Sequence, residues 1–149
     1  MTVAAVVERE GRFLVVEEQV EDRVLINQPA GHLEEGEDLP SAVRREVLEE
    51  TGWRFEPAAL IGVYLYRSLH PARTYLRVGF AGRVIGQELG RPLAPEVVRV
   101  AWYTRAELAA REAELRSPMV LRTVDDYLGG VRYPLELLST IRASEPAYR

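Results

Sequence analysis

The chain has 149 residues, the size of one domain with a substantial hydrophobic core. With 47% hydrophobic and 28% charged residues it has an ordinary globular composition. No apolar run approaches the roughly 18 residues that a membrane helix needs. The net charge of −4 argues against a surface that wraps a long nucleic acid, because binding a polyanion depends on clustered positive charge.

The first third of the chain predicts a β-hairpin followed by a further strand. Two β-rich runs, Thr2 to Glu8 and Arg12 to Glu18, lie on either side of a polar turn at Gly11. Strand character continues from Val24 to Asn27, and the residues from Pro29 to Gly31 then interrupt it. The opening strand is too short and too soon followed by charge to be a secretory signal.

A helix is predicted to begin within Asp38–Pro40 and to end at about Thr51. Gly52 suits the left-handed position that commonly follows a helix. Val43 and Val47 lie one turn apart and would pack this helix onto a sheet.

The remainder of the chain predicts three more strands and three helices. The strands run from Leu60 to Leu69, from Arg73 to Ile85 and from Val97 to Tyr103. Thr104 to Glu107 has the spacing of a capping box and opens a short helix that ends near Ala110. Ser117 and Pro118 begin a helix that reaches about Leu128, and a last helix is predicted after Pro134. This order predicts one α/β domain over residues 1–149 with a mixed sheet and no interdomain linker.

The absence of two residue types narrows the chemistry. There is no cysteine, which excludes disulfides, thiolate metal sites and cysteine nucleophiles and agrees with a reducing, cytoplasmic compartment. There is also no lysine, so all 19 basic residues are arginine. A Schiff base and a Walker-type lysine are therefore excluded, and arginine is the only permanently cationic side chain that can bind phosphate.

Three glutamates share one face of the first predicted helix. Glu46, Glu49 and Glu50 lie at positions i, i+3 and i+4, where like charges repel by roughly 0.2 to 0.5 kcal/mol per pair. A solvated acidic face is the commoner meaning of such a pattern. A bound cation is the other, and oxygen ligands without thiols favour a hard ion, Mg²⁺ or Mn²⁺.

The surrounding residues decide between these interpretations. Residues 31–53, GHLEEGEDLPSAVRREVLEETGW, fit the pattern G-x5-E-x7-R-E-U-x-E-E-x-G-U, in which U is a bulky aliphatic residue. The fixed letters are Gly31, Glu37, Arg45, Glu46, Glu49, Glu50 and Gly52. In this stretch the chain resembles the Nudix hydrolase family. Trp53 occupies the last aliphatic position, a departure that affects packing rather than chemistry.

The resemblance implies the Nudix fold, an α/β/α sandwich around a mixed β-sheet, and a magnesium-dependent hydrolase with manganese as a substitute. It further implies that Glu46, Glu49 and Glu50 bind the metal, with the backbone carbonyl of Gly31 as an additional ligand. Outside the motif, residues 27–32, 116–118 and 132–136 are similar to the NudJ-type phosphatases of this family. That likeness suggests nucleoside di- or triphosphates, or a small pyrophosphate such as hydroxymethylpyrimidine pyrophosphate, as substrates.

The catalytic candidates are Glu49, Glu46, Glu96 and Arg45. In the family, the general base moves between motif glutamates and an acidic residue on a later loop, and Glu96, just before a predicted strand, is the candidate for the second position. A solvated loop glutamate is an equally natural interpretation of Glu96. In the family, the motif arginine pairs with the earlier glutamate, Glu37 here, and would orient the metal ligands rather than bind metal.

The substrate-binding candidates lie on the predicted strands. Arg12 and Arg77 are candidates for binding phosphate. Tyr75 shares a strand face with Arg77 by period-two alternation, although a solvent-facing strand side is about equally compatible. Tyr64 is placed to stack on a base or pyrimidine ring, the alternative being simple packing.

Three other functions remain open at this point. Hydrolysis of ADP-ribose or another nucleotide sugar is an alternative within the enzyme class, and removal of a 5′ pyrophosphate from RNA is a second that the acidic charge disfavours. A non-catalytic nucleotide sensor on the same fold is an alternative from another class, but such sensors commonly lose motif carboxylates, which this chain retains. The sequence indicates no oligomeric state.

Overall fold

The structure is a computed structural model that describes residues 1–143. The strands are β1 (Thr2–Arg9), β2 (Arg12–Val20), β3 (Arg23–Asn27), β4 (Ala30–His32), β5 (Trp53–Leu69), β6 (Ala72–Gln87) and β7 (Val97–Tyr103). The helices are α1 (Leu39–Thr51), α2 (Arg105–Ala110) and α3 (Met119–Leu128), with single 3₁₀ turns at Glu112–Glu114 and Leu135–Leu137. Within residues 1–143, no helix is long and apolar enough to cross a membrane.

The strands form one mixed sheet in the order β3-β2-β1-β6-β5. β1 runs parallel to β6, and the other paired strands are antiparallel. β1 and β2 pair only next to their hairpin, at Glu8 with Phe13 and at Arg9 with Arg12. Beyond that point the two strands diverge, since β4 takes the place of β2 beside β1 and β7 pairs with β2 instead. The divergence opens the sheet at the end where β1 begins.

Helices cover both faces of the sheet, which confirms the predicted sandwich. Val43 and Val47 of α1 are fully buried against one face, in a cluster with Val3, Val78 and Phe80. The opposite face packs against α2 and α3 and includes the buried residues Val6, Ile61, Leu108 and Val124. Because neighbouring residues of a strand point to opposite faces, β1 contributes alternate valines and alanines to each core.

Three element predictions were wrong. β5 begins at Trp53 rather than at Leu60, because its first half accommodates Pro57 and several bulges on the edge of the sheet, where a missing N–H costs least. The residues at Ala30–His32 form a short strand instead of only interrupting one. After Pro134 there is a single 3₁₀ turn and no longer helix up to residue 143.

At Gly82 of β6 the neighbouring strand leaves no room for a Cβ atom. A Cβ at this position would lie 2.2 Å from the Glu56 carbonyl oxygen and 2.6 Å from the Phe55 ring. We expect Gly82→Ala to lower the free energy of unfolding by about 2 kcal/mol or more, since a β-strand carbonyl cannot move aside as a flexible side chain does. Gly86→Ala is the matched control, because nothing lies within 4 Å of the added Cβ. Denaturant unfolding of both variants measures the difference, and equal midpoints would contradict the prediction.

Candidate active site

The helix that carries the three motif glutamates is fixed at both ends. Asp38 caps its start by accepting a 2.8 Å hydrogen bond from the Ser41 N–H, and Pro40 occupies the first turn. Gly52 follows its end in the left-handed conformation, with φ 74°, and its N–H donates to the Leu48 carbonyl. This is the cap that the sequence predicted. The caps fix where α1 begins and ends, and the burial of Val43 and Val47 fixes which face of the helix meets the sheet. Glu46 and Glu50 then lie against β4, and Glu50 also meets the end of β2.

Arg45 ties the loop before α1 to the helix. Its guanidinium donates twice to Glu37 and, over 2.9 Å, to the His32 carbonyl. It also donates to Glu46 over 2.9 Å and to Glu49 over 3.2 Å. The hydrogen bonds to Glu37, the largest contribution, raise the pKa of Arg45 above its usual value, so the guanidinium stays charged. Arg45 therefore holds two candidate ligands in place, and the pairing with Glu37 is present as expected.

Gly31 lets the Glu46 carboxylate approach the backbone of β4. A Cβ on this residue would lie 2.1 Å from the Glu46 carboxyl group, so no larger residue fits without moving that side chain. Burial raises the pKa of Glu46, and the neighbouring charge of Glu49 adds to the effect. A glycine is thus needed here for close packing, and its carbonyl lies on the same short strand as the groups that contact the carboxylates.

Glu50 is the most enclosed of the motif carboxylates. Only 2% of the residue is exposed, and its Oε1 accepts a 2.7 Å hydrogen bond from the Ala30 N–H. Burial raises the pKa of Glu50 to about 9, and the negative charges of Glu18 and Glu46 act in the same direction. A buried carboxylate beside two others needs either a proton or a cation.

Glu18 is a further acidic residue of the site that the sequence interpretation missed. It lies near the end of β2, is 6% exposed, and forms a 3.2 Å ion pair with Arg116. Burial, the largest cause, raises its pKa. The available signal was a pair of glutamates, Glu17 and Glu18, directly after the apolar run of a buried strand. Glu17 instead belongs to a separate group with Arg99, Tyr103 and Arg111.

The carboxylates suit a hard divalent cation by their chemistry. Among residues 1–143, no three acidic or imidazole side chains are already arranged around a common metal position. The hydrogen bonds from Arg45 engage one oxygen each of Glu46 and Glu49, which leaves the second oxygen of each as a candidate ligand. Glu50 accepts from the Ala30 N–H and also shares a hydrogen bond with Glu18, so a cation would replace the proton between these two carboxyl groups. Oxygen donors, high negative charge and the close approach at Gly31 all fit Mg²⁺ or Mn²⁺.

Glu96 lies on the loop that borders these carboxylates. The loop is attached to α1 by a 2.8 Å hydrogen bond from the Ala94 N–H to the Glu49 carbonyl. It is attached to β2 by a bond of equal length from the Gln19 N–H to the Glu96 carbonyl. The side chain of Glu96 is exposed, and its negative charge contributes to the raised pKa of Glu18. The structure therefore brings Glu96 to the site without fixing its carboxylate there.

Comparisons with known proteins agree with this geometry. The family profile described as the NUDIX domain matches residues 1–123. The chain belongs to the Nudix family. It is 39% identical over 139 residues to proteins named phosphatase NudJ from Escherichia coli K12 and Shigella boydii, covering 93% of this chain and 89% of each relative. The solved structure of a Nudix hydrolase from Nitrosomonas europaea is 43% identical, with a TM-score of 0.92 and coverage of 94% of this chain and 95% of that one. The protein is accordingly a Nudix hydrolase close to the NudJ phosphatases.

Of the two arginines predicted to bind phosphate in this Nudix hydrolase, only Arg77 lies near the motif carboxylates. Arg77 is 5% exposed and lies beside Asn27 and Gln28 at the open end of the sheet, within range of the charges of Glu18 and Glu50. The structure does not bring Arg12 to the carboxylates. Arg12 pairs with Glu107 and lies next to Arg9, about 23 Å along β1 from the open end at about 3.3 Å per residue.

The tyrosines lie along β5 and β6 on the side of α3. The Tyr64 ring lies over the glycines Gly62 and Gly79, and its hydroxyl donates a 2.8 Å hydrogen bond to Asp126. Tyr75 stacks on Tyr66 with 6.1 Å between ring centroids. Tyr64 and Tyr66 line an open groove of about 740 Å³ that runs between the edge of β5, the start of α3 and the segment around Tyr133. Val78 and Phe80 pack into the core on the side of α1, as the alternation along β6 predicted, while Arg77 and Tyr75 project from the other face of the strand.

Proposed function

We propose that this Nudix hydrolase is a Mg²⁺-dependent enzyme that cleaves phosphoanhydride bonds in nucleoside di- or triphosphates or in related small pyrophosphates, such as hydroxymethylpyrimidine pyrophosphate. The observation that carries the proposal is the meeting of Glu50 from α1 with Glu18 from β2, both buried, beside the buried cation Arg77. Negative ligands for a metal and a positive donor for phosphate then lie side by side. The 39% identical relatives named phosphatase NudJ support a phosphatase reaction.

Different residues of the site would bind the metal, orient its ligands and contact the substrate. Glu46, Glu49, Glu50 and the Gly31 carbonyl would hold the cation, which when bound neutralises phosphoryl charge and makes water a better nucleophile. Arg45 keeps Glu46 and Glu49 oriented through its bonds to both and is a positioning residue. Arg77 would contact substrate phosphate. The groove lined by Tyr64 and Tyr66, with Tyr75 stacked on Tyr66, would receive the organic part of the substrate.

Three carboxylates are candidates to accept the proton from the attacking water: Glu46, Glu49 and Glu96. Glu96 differs from the other two because its side chain is exposed on a loop. We expect Glu96→Gln to lower kcat by about 10- to 100-fold if that loop supplies the base. Steady-state kinetics test this, with Glu112→Gln on the 3₁₀ turn as the control. An unchanged rate would assign the proton transfer to a motif glutamate.

A phosphate-release screen tests the proposed substrate class. Purified protein would be incubated with nucleoside di- and triphosphates, nucleotide sugars including ADP-ribose, and hydroxymethylpyrimidine pyrophosphate, with Mg²⁺, with Mn²⁺ and with chelator. We expect release from the first and last groups only in the presence of a divalent ion. Product mass after reaction in ¹⁸O-labelled water then locates the attacked phosphorus. Cleavage of ADP-ribose or another nucleotide sugar releases two phosphate monoesters and no inorganic phosphate, so product mass detects it. Turnover confined to those substrates would replace the phosphatase proposal by the diphosphatase alternative.

We also propose a cytoplasmic location and a small-molecule substrate as the main partner. The absence of cysteine supports a reducing compartment. The net charge of −4 supports a small anion held through a metal over a long nucleic acid, for which a basic groove would be expected.

A further inference from the structure

Two buried polar atoms on neighbouring strands have no hydrogen-bond partner. They are the Thr2 hydroxyl oxygen and the Arg77 Nε, and no other side-chain nitrogen or oxygen within residues 1–143 is both buried and unpaired. Thr2 and Arg77 are directly paired residues of the parallel strands β1 and β6. Residues paired in this way project from the same face of a sheet. One oxygen-rich ligand group could therefore satisfy both atoms.

The remaining donors of Arg77 are also only weakly engaged. Its Nη1 lies 3.4 Å from the Asn27 Oδ1 and 3.5 Å from the Gln28 Oε1, at the long limit of hydrogen bonding. Gln28 is itself held by α3, because its amide nitrogen donates to the Val120 carbonyl over 2.8 Å and to the Thr123 hydroxyl over 2.9 Å. Helix α3 thus holds Gln28 in place beside Arg77, and the long contacts leave most of the hydrogen-bonding capacity of the guanidinium unused.

The charges around Arg77 indicate what such a ligand must be. Glu18 and Glu50 are near enough to act on the guanidinium, yet neither forms an ion pair with it within 4.0 Å. A second guanidinium, that of Arg116, pairs with Glu18 over 3.2 Å, is partly exposed, and is near enough for its charge to act on Arg77. A buried arginine with free donors is poorly stabilised unless an anion reaches it. A phosphate group has the oxygens to bind a metal and to accept from these donors together.

We propose that Thr2, Arg77 and Arg116 form a pocket for the terminal phosphate of the substrate, and that this pocket makes the enzyme select substrates whose last phosphate carries no ester group. A donor that is 5% exposed can be reached only by the outermost group of a ligand, with nothing attached beyond it. A terminal phosphate also carries up to two negative charges, whereas each phosphate in a diphosphate diester carries one. Two guanidiniums favour the former.

The inference rests on the proposed function and is tested by variants that leave the metal ligands intact. We expect Arg116→Gln and Arg77→Lys each to lower kcat/KM for the best diphosphate of the screen by roughly 10- to 100-fold, and Thr2→Val by a few-fold. The matched control is Arg54→Gln, because this exposed arginine pairs with Glu88 outside the site. Arg77 is buried, so thermal unfolding is needed to show whether Arg77→Lys still folds. If it does not, the other two variants, Arg116→Gln and Thr2→Val, still test the pocket.

Binding separates terminal-phosphate recognition from general weakening. Calorimetry with Mg²⁺ would compare methylenediphosphonate with its P,P′-dimethyl ester, which has no terminal dianion. We expect the wild type to bind the first at least 10-fold more tightly, and the ratio to fall toward one in Arg116→Gln and Thr2→Val. An unchanged ratio, or no wild-type preference, overturns the pocket while hydrolysis by the wild type still supports the proposed function. Absence of wild-type hydrolysis in the screen would overturn the proposed function itself.

Discussion

Glu49→Gln and Glu50→Gln are each expected to reduce kcat by at least about 100-fold while leaving the protein folded. Glutamine keeps the shape of the side chain but loses the charge that a divalent cation requires. Losing several kcal/mol of charge stabilisation in the transition state corresponds to about 10² to 10⁴ in rate. Glu50 has a pKa of about 9, so at neutral pH the metal-free protein already holds this side chain uncharged, and glutamine keeps both that neutrality and an oxygen for the Ala30 N–H.

A carboxylate near the same helix provides the control for this prediction. Glu56 forms a half-exposed ion pair with Arg44 of α1 and has no described contact with the motif glutamates. Glu56→Gln should therefore retain wild-type kcat. Magnesium titration by calorimetry should show weaker binding in Glu49→Gln and Glu50→Gln than in Glu56→Gln. Parental turnover in both motif variants would remove the carboxylates from the catalytic assignment.

The helix with its motif could be predicted from sequence because its determinants are local. The Asp38 cap, the glycine after the last turn and the apolar stripe lie within one stretch of 15 residues, and the structure contains each of them. The pairing of Arg45 with Glu37 spans only eight residues. Contacts of this kind depend on helix geometry and loop length, both of which the spacing of residues specifies.

Other parts of the site depend on which strands become neighbours, and the local pattern could not supply that information. Glu18 and Glu50 are 32 residues apart in sequence and come into contact because β2 diverges from β1. Arg116, in the segment before α3, forms an ion pair with Glu18. Arg77 was predicted as a residue of a polar strand face, but its burial follows from the parallel pairing of β6 with β1. Arg12 looked equivalent to Arg77 in sequence, and only the hairpin register separates them.

Stability of the metal-free protein should fall as the pH rises from about 4.5 to about 9, and Glu50 is a main cause. In the folded state the Glu50 carboxyl has a pKa of about 9, whereas in the unfolded chain it returns to about 4.5. Between these values the folded protein holds a proton that the unfolded chain has released. Stability therefore decreases with pH in this window, by at most about 1.4 kcal/mol per pH unit for one group. Glu18 and Glu46, whose pKa values are also raised by burial, act in the same direction.

Comparison of the wild type with Glu50→Gln isolates the contribution of this residue. The variant carries no titrating group at position 50, so its melting temperature in chelator should rise above that of the wild type by a margin that widens from pH 5 to pH 9. Glu17 and Glu37 do not confuse the comparison, because their lowered pKa values affect stability at more acidic pH. Added Mg²⁺ should reduce the margin, since a cation stabilises the charged carboxylates of the wild type and not the neutral amide. A difference in melting temperature that stays constant from pH 5 to pH 9 would show that Glu50 is not protonated in the folded protein. Cations would then have to compensate the charge of the buried carboxylates, and Arg77 and Arg116 are the nearest ones.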